Sequence, residues 1–106
     1  MPPAAIAIEV SRFVDDDFPG FVECILVDAA GQSHVFVDKI PIVTTENLEP
    51  TNDYPQPGAI RCEIEAEWVD AQGRSLARIT TDRPDSVESA DGQSCFVVLA
   101  SGLRLA

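Results

Sequence analysis

Alternation of apolar and polar residues along the chain predicts β-strands. Residues 5–14 alternate Ile6, Ile8 and Val10 with polar or small neighbours, and residues 60–68 alternate most strictly. A helix would spread these apolar residues around its whole surface, so the period of two indicates strands. Apolar runs predict further strands at residues 21–27, 35–37 and 95–99.

Two heptapeptides with the common pattern Val-Asp-Ala-x-Gly-x-Ser, residues 27–33 and 69–75, predict hairpin turns. Asp caps backbone amides at the start of a type I turn, and Gly suits the left-handed position. A weaker echo at residues 90–94 precedes the strand at 95–99. Either a duplicated hairpin or convergence explains the repeat, and turn chemistry alone accounts for most of the matching positions.

The second heptapeptide allows two registers. A four-residue loop places Glu67 opposite Arg78 and Trp68 opposite Ala77, whereas a three-residue loop with a glycine bulge places Trp68 opposite Leu76. The first register is preferred, because it pairs opposite charges on one face.

Two segments, residues 44–59 and 82–93, lack a strand pattern. The first contains three prolines and room for one helical turn from Thr45, and the second has one possible edge strand around Val87. About six strands with hairpin connections predict an all-β fold, a small antiparallel barrel of the OB or SH3-like kind, with a small β-sandwich as the alternative. The length of 106 residues predicts a single domain, residues 1–106.

Charge narrows the classes of partner. Eighteen acidic residues against seven Lys and Arg give a formal net charge of -11. This charge disfavours binding to nucleic acid or to an anionic membrane, and favours a basic protein partner unless it serves only solubility. No apolar run approaches the roughly 20 residues of a membrane span, and the first residues lack a signal-peptide pattern, so we expect a cytoplasmic protein.

Cysteine and histidine do not predict a metal site or a cofactor. Cys24, Cys62, Cys95 and His34 add up to a zinc ligand set, but every spacing is ten residues or more, whereas structural zinc sites use close pairs. Three reduced, buried thiols are expected instead.

Acidic side chains suggest one catalytic alternative. Glu63, Glu65 and Glu67 repeat every roughly 6 to 7 Å along one strand face, and paired carboxylates can perform acid and base chemistry. A solvated face neutralised by Arg61 and Arg78 is the favoured interpretation, and no catalytic residue is assigned.

The loop 44–59 is the predicted partner-facing element. It is stiffened by prolines and carries the only tyrosine, a residue type enriched in interface hot spots, although this tyrosine would equally pack over a barrel end. The acidic turn at residues 15–17 is expected to be solvated, since it lacks the pattern of a calcium loop. The candidate partner-binding residues are Tyr54, Glu46, Asp53, Asp15, Asp16 and Asp17.

The segments 21–29, 35–41, 54–58 and 92–98 together resemble small bacterial proteins without an assigned function. This resemblance implies a bacterial origin and a standalone domain, and it carries over no site residues. The sequence therefore predicts a non-enzymatic acidic protein-binding module similar to immunity or inhibitor proteins, and it does not specify the oligomeric state. The alternatives are a small-molecule-binding barrel and a minor enzyme that uses the Glu face.

Overall fold

The structure, a computed structural model, describes residues 2–105 and is built almost entirely of antiparallel strands. Its only α-helix in the described range is a single turn, and a short 3₁₀ turn precedes the last strand. The elements are β1 (Pro3–Asp15), β2 (Phe21–Val27), β3 (Ser33–Lys39), α1 (Ile40–Val43), β4 (Gln56–Val69), β5 (Ser75–Thr80), β6 (Cys95–Leu99), the 3₁₀ turn (Ala100–Gly102) and β7 (Leu103–Leu105).

All seven strands belong to one curled sheet. Six of them follow the order β3-β2-β1-β4-β5-β6, and β7 pairs with the start of β1. Two backbone hydrogen bonds join the β2–β3 side of the sheet to the β6 side: the Ala29 amide donates to the Val97 carbonyl (2.9 Å), and the Ala90 amide donates to the Val35 carbonyl (2.7 Å). The predicted all-β fold with a small antiparallel barrel is therefore confirmed, with β7 as a strand that the sequence did not indicate.

The inner face of the sheet forms the core. The even-numbered residues of β1 from Ala4 to Val10 point inward, and large side chains such as Leu26, Phe36 and Ile60 are fully buried. Helix α1 covers one end of this core through Val43, which is 2% exposed. It can approach closely because Gly58 of β4 has no side chain: a Cβ there would lie 2.9 Å from the Val43 carbonyl oxygen.

The two heptapeptides form the same turn. In the Asp28 turn (residues 28–32) and the Asp70 turn (residues 70–74), the aspartate amide donates to the carbonyl four residues later, at 2.9 and 3.0 Å. The glycine in each has φ of +81°, a conformation that glycine adopts without steric penalty. The echo forms a third such turn, in which the Ser89 amide donates to the Gln93 carbonyl (2.8 Å) and the Ser89 hydroxyl replaces the carboxylate.

The preferred register of the second hairpin was wrong. Trp68 lies opposite Leu76, and Glu67 lies opposite Ala77. The left-handed glycine produces a bulge that closes the loop in three residues, and this turn geometry determines the register. A further irregularity between Ile64 and Ala66 interrupts the predicted alternation, and Trp68 is 39% exposed rather than part of the core.

Three further features of the secondary structure differ from the prediction: the start of one strand, the place of the helical turn, and a predicted strand that does not form. Strand β4 begins at Gln56, so the long loop covers residues 44–55. The helical turn is α1 rather than a turn from Thr45, because Pro41 in its first turn lacks only an amide that would have no helical partner. No strand forms around Val87, whose side chain is buried and whose carbonyl accepts a hydrogen bond from the Thr81 hydroxyl (2.7 Å).

Candidate partner-binding site

The turn between β1 and β2 presents acidic and aromatic side chains to solvent. Asp15, Asp16 and Asp17 are all exposed, and the Asp15 carboxylate accepts a hydrogen bond from the Asp17 amide (2.9 Å). The Gly20 amide closes the turn on the Asp17 carbonyl (2.7 Å). Phe18 at the tip is 97% exposed. Sequence reasoning missed Phe18, although an aromatic residue between three aspartates and a Pro-Gly pair has little chance of reaching a core.

Tyr54 lies at the end of the long loop, where its ring packs against the core. Its hydroxyl donates to the Glu49 carbonyl (2.7 Å). The Asn52 side chain accepts from the Glu49 amide (2.6 Å), so this part of the loop is held by its own hydrogen bonds. Burial raises the pKa of Tyr54 above its usual range. The Tyr54 ring is therefore held in place by its packing and its hydrogen bond, and it does not project into solvent.

The loop and the turn meet at one groove of about 500 Å³, which we call the Tyr54 groove. Its lining contains two aromatic rings, two carboxylates, one guanidinium group and two apolar side chains. The lining residues are Arg12, Phe13, Val14, Asp15, Asp16, Pro50 and Tyr54. Three of the six predicted partner-binding residues thus come together although nearly forty positions separate them. Asp17 lies next to the groove in the chain, and Asp53 is exposed outside its lining.

The charge in this groove is negative because its one cation is engaged. Arg12 forms an ion pair with Glu23 of β2 (3.1 Å). Hydrogen bonds from Arg12 and from the Ser11 hydroxyl hold the pKa of Glu23 below its usual value. Within residues 2–105, Asp15 and Asp16 have no basic side chain within ion-pair distance.

Glu46 lies elsewhere, in a second groove of about 540 Å³ along β4, which we call the β4-edge groove. One wall is residues 41–46, and the other is residues 57–59 with Arg61. Arg61 binds Asp85 through two hydrogen bonds of 2.9 and 2.5 Å, which raise its pKa. Arg104 completes the lining. No sequence signal indicated that Asp85, in an irregular segment, would reach Arg61.

Two of the three glutamates of the β4 row, Glu63 and Glu65, form ion pairs. Glu63 contacts Arg83 (2.9 Å), and Glu65 contacts Arg78 (3.4 Å). Arg61, expected to neutralise this face, binds Asp85 instead. Glu65 also lies at the irregularity of β4, so the three carboxylates do not form an evenly spaced row. This arrangement favours the solvated face over acid and base chemistry.

The thiols differ from one another. Cys24 and Cys62 are buried, as predicted, and burial raises their pKa values to about 12 and about 11. Both therefore remain protonated and weakly nucleophilic at neutral pH. Cys95 is exposed, contrary to expectation, because its side chain alternates outward while Phe96 points into the core. In the described part of the chain, only Asp15, Asp16 and Asp17 bring three metal-ligand side chains within 4.8 Å of one another.

Comparison with protein families, with curated proteins and with solved structures finds no match to this chain. The bacterial origin implied by the resemblance therefore stays a prediction. Within residues 2–105, no helix has the length and apolar character that a membrane span requires.

Proposed function

We propose that the protein is a non-enzymatic binding module that engages a basic protein partner through the Tyr54 groove and the adjacent turn. One observation carries this proposal: Asp15, Asp16 and Tyr54 line one groove, and the fully exposed Phe18 lies on the same turn as the two aspartates. An exposed aromatic residue offers contact area for a hot spot. Surrounding carboxylates attract a basic surface and speed its association.

The two aromatic residues differ in exposure and would therefore have different roles in binding. Tyr54 is half-buried and shapes the groove, whereas Phe18 projects and is the side chain that a partner would cover. The large side chains that fill the barrel interior, among them Phe36 and Ile79, favour a surface-binding role over a ligand held inside the barrel. The free, protonated thiols of Cys24 and Cys62 suit a reducing cytoplasmic setting.

The test uses a fluorescent, blocked peptide of alternating Arg and Leu as the probe. We expect binding that weakens as salt rises from about 20 to 200 mM, because screening reduces the attraction between exposed charges. Phe18→Ala should weaken binding about tenfold, the equivalent of about 1.4 kcal/mol. It should change the free energy of unfolding by less than about 0.5 kcal/mol, since the side chain has little to lose on the surface.

A matched pair of triple variants separates the site from net charge. Asp15→Asn, Asp16→Asn and Asp17→Asn remove three charges at the turn, and Glu9→Gln, Glu67→Gln and Glu88→Gln remove three from other exposed positions. We expect the first set to weaken binding at least about tenfold more than the second. Equal losses in the two sets, or unchanged binding by Phe18→Ala, would contradict the proposed site.

A further inference from the structure

The edge of β4 beside the β4-edge groove carries unpaired backbone groups. The Ile64 amide donates to the Pro2 carbonyl (2.9 Å), and Glu63 lies opposite Pro3. Hydrogen-bonded positions alternate along an antiparallel strand, so Cys62, Ile60 and Gly58 also bond β1. The amide and carbonyl groups of Ala59 and Arg61 must then point away from β1.

In the part of the chain that the structure describes, no strand covers these groups on the other side. β5 pairs with β4 only from Glu63 to Val69. After Thr80 the chain leaves β4, because the Asp82 amide, which would face Arg61 if the pairing continued, donates instead to the Thr80 hydroxyl (3.2 Å). Within residues 2–105, the backbone hydrogen bonds give Ala59 and Arg61 no partner on this side. The β4-edge groove therefore lies along an open stretch of sheet edge.

From this geometry we propose that the β4-edge groove binds an extended peptide segment of a partner protein, which adds a strand to β4 at residues 57–61. An extended chain is the occupant whose own amide and carbonyl groups repeat at the spacing of Ala59 and Arg61. Five extended residues span roughly 14 Å. The wall at residues 41–46 leaves the groove bounded on both sides, which suits one peptide strand rather than another sheet.

The charges that line the β4-edge groove indicate which side chains this peptide should carry. Glu46 and Arg104 line it and form no ion pair within the described residues, whereas Arg61 is neutralised by Asp85. A peptide with one basic and one acidic residue would complement both free charges. A second copy of the chain fits less well, because two molecules of net charge -11 repel each other. This groove is separate from the Tyr54 groove, so the inference is independent of the proposed function.

The first experiment measures amide hydrogen exchange in the free protein. We expect the amides of Ala59 and Arg61 to exchange at least about a hundredfold faster than those of Ile60 and Cys62, which bond β1. Equal protection of the two sets would mean that the edge is already paired and would overturn the proposal. Protection of Ala59 and Arg61 that increases with protein concentration would assign the edge to a second copy instead.

The second experiment uses a library of blocked pentapeptides with Val at alternate positions and one Glu and one Lys among the others. The best binder should slow exchange at Ala59 and Arg61. Ala59→Pro, which removes one outward amide, should reduce its affinity at least about tenfold, and Ala59→Val, which keeps the amide, should retain it. Folding of each variant is checked by circular dichroism.

Side-chain variants test the same site without altering the backbone. Glu46→Gln and Arg104→Gln should each lower the affinity of the Lys- and Glu-containing peptide about threefold, while Glu88→Gln, at an exposed position outside both grooves, should leave it unchanged. If no peptide in the library protects Ala59 and Arg61, or if Ala59→Pro and Ala59→Val bind alike, the groove does not bind a peptide strand.

Discussion

The Asp28 turn and the Asp70 turn share one backbone geometry but differ in how they are tied to the rest of the molecule. Each aspartate accepts hydrogen bonds of 2.9 Å from amides two and four residues later. The second carboxylate oxygen meets His34 Nε2 in one turn and Arg74 Nε in the other, both at 2.8 Å. The local sequence therefore specifies the turn twice, and only the side-chain partner of the second carboxylate oxygen differs.

Tertiary surroundings separate the two turns further. The His34 side chain is 13% exposed and lies edge-on to Phe96, with ring centroids 4.9 Å apart, whereas Arg74 is 43% exposed. The Ala29 amide of the Asp28 turn also bonds β6. Among the hydrogen bonds of residues 2–105, the one that links the Asp70 turn to this region runs from Arg74 Nη1 to the Ala29 carbonyl (3.1 Å). We therefore expect the Asp28 turn to contribute more to stability than the Asp70 turn, because it also joins two sides of the sheet.

Removing the carboxylates of Asp28 and Asp70 should have the largest effect on the free energy of unfolding, and this effect should differ between the two turns. Asp28→Ala leaves the amides of Ala30 and Gln32 and the partly buried His34 without their acceptor. We expect it to lower the free energy of unfolding by about 1–3 kcal/mol. Asp70→Ala should lower it less, because water replaces the carboxylate at its exposed partners. Urea denaturation of both variants measures the difference, and equal losses would show that the contacts of His34 contribute nothing extra.

Replacing the two glycines should have a smaller effect, equal in both turns. Gly31 and Gly73 have the same φ of +81°, and a Cβ added at either would meet no atom within 4 Å. Gly31→Ala and Gly73→Ala should therefore each destabilise the protein by about 1 kcal/mol, from backbone conformation alone. The same denaturation measurement checks this. A clearly larger loss in Gly31→Ala would mean that the backbone of the Asp28 turn is also under tertiary constraint.

These turns also show what could be predicted from sequence. Asp and Gly at fixed spacing determine a backbone, so the hairpins were predictable from local chemistry. The register of the second hairpin was predictable too, but the apparent Glu67 to Arg78 pairing outweighed the geometry that Gly73 imposes. The exposed Trp68 was not predictable, since it results from the irregularity at Glu65, for which the sequence gives no signal.

The candidate site likewise has some features that were predictable from the sequence and others that were not. Exposure of the acidic turn followed from its composition, and the choice of the proline-rich loop as a candidate binding element followed from its length. That Tyr54 and Asp15 line one groove depends on how the sheet curls, which strand patterns do not specify. The open edge of β4 was hidden for a similar reason, because β5 is shorter than β4 and only the paired structure reveals the difference.

The smallest expected effect is the acid sensitivity of the two turns. Hydrogen bonds lower the pKa of both aspartates: for Asp28, burial opposes the shift but the bonds with His34, Gln32 and Ala30 outweigh it, and for Asp70 the backbone and side chain of Arg74 dominate. A carboxyl whose pKa is lower in the folded state stabilises the protein above its unfolded pKa, near 3.8, and this stabilisation is lost as the pH falls through the folded value.

Asp28→Asn and Asp70→Asn should therefore be less stable than wild type at pH 6, with differences that shrink as the pH falls below 3.8. Gly31→Ala is the control, because it changes no titratable group and its difference from wild type should stay constant over the same range. If the difference for Asp28→Asn were equally constant, the carboxylate of Asp28 would not be stabilised by its turn.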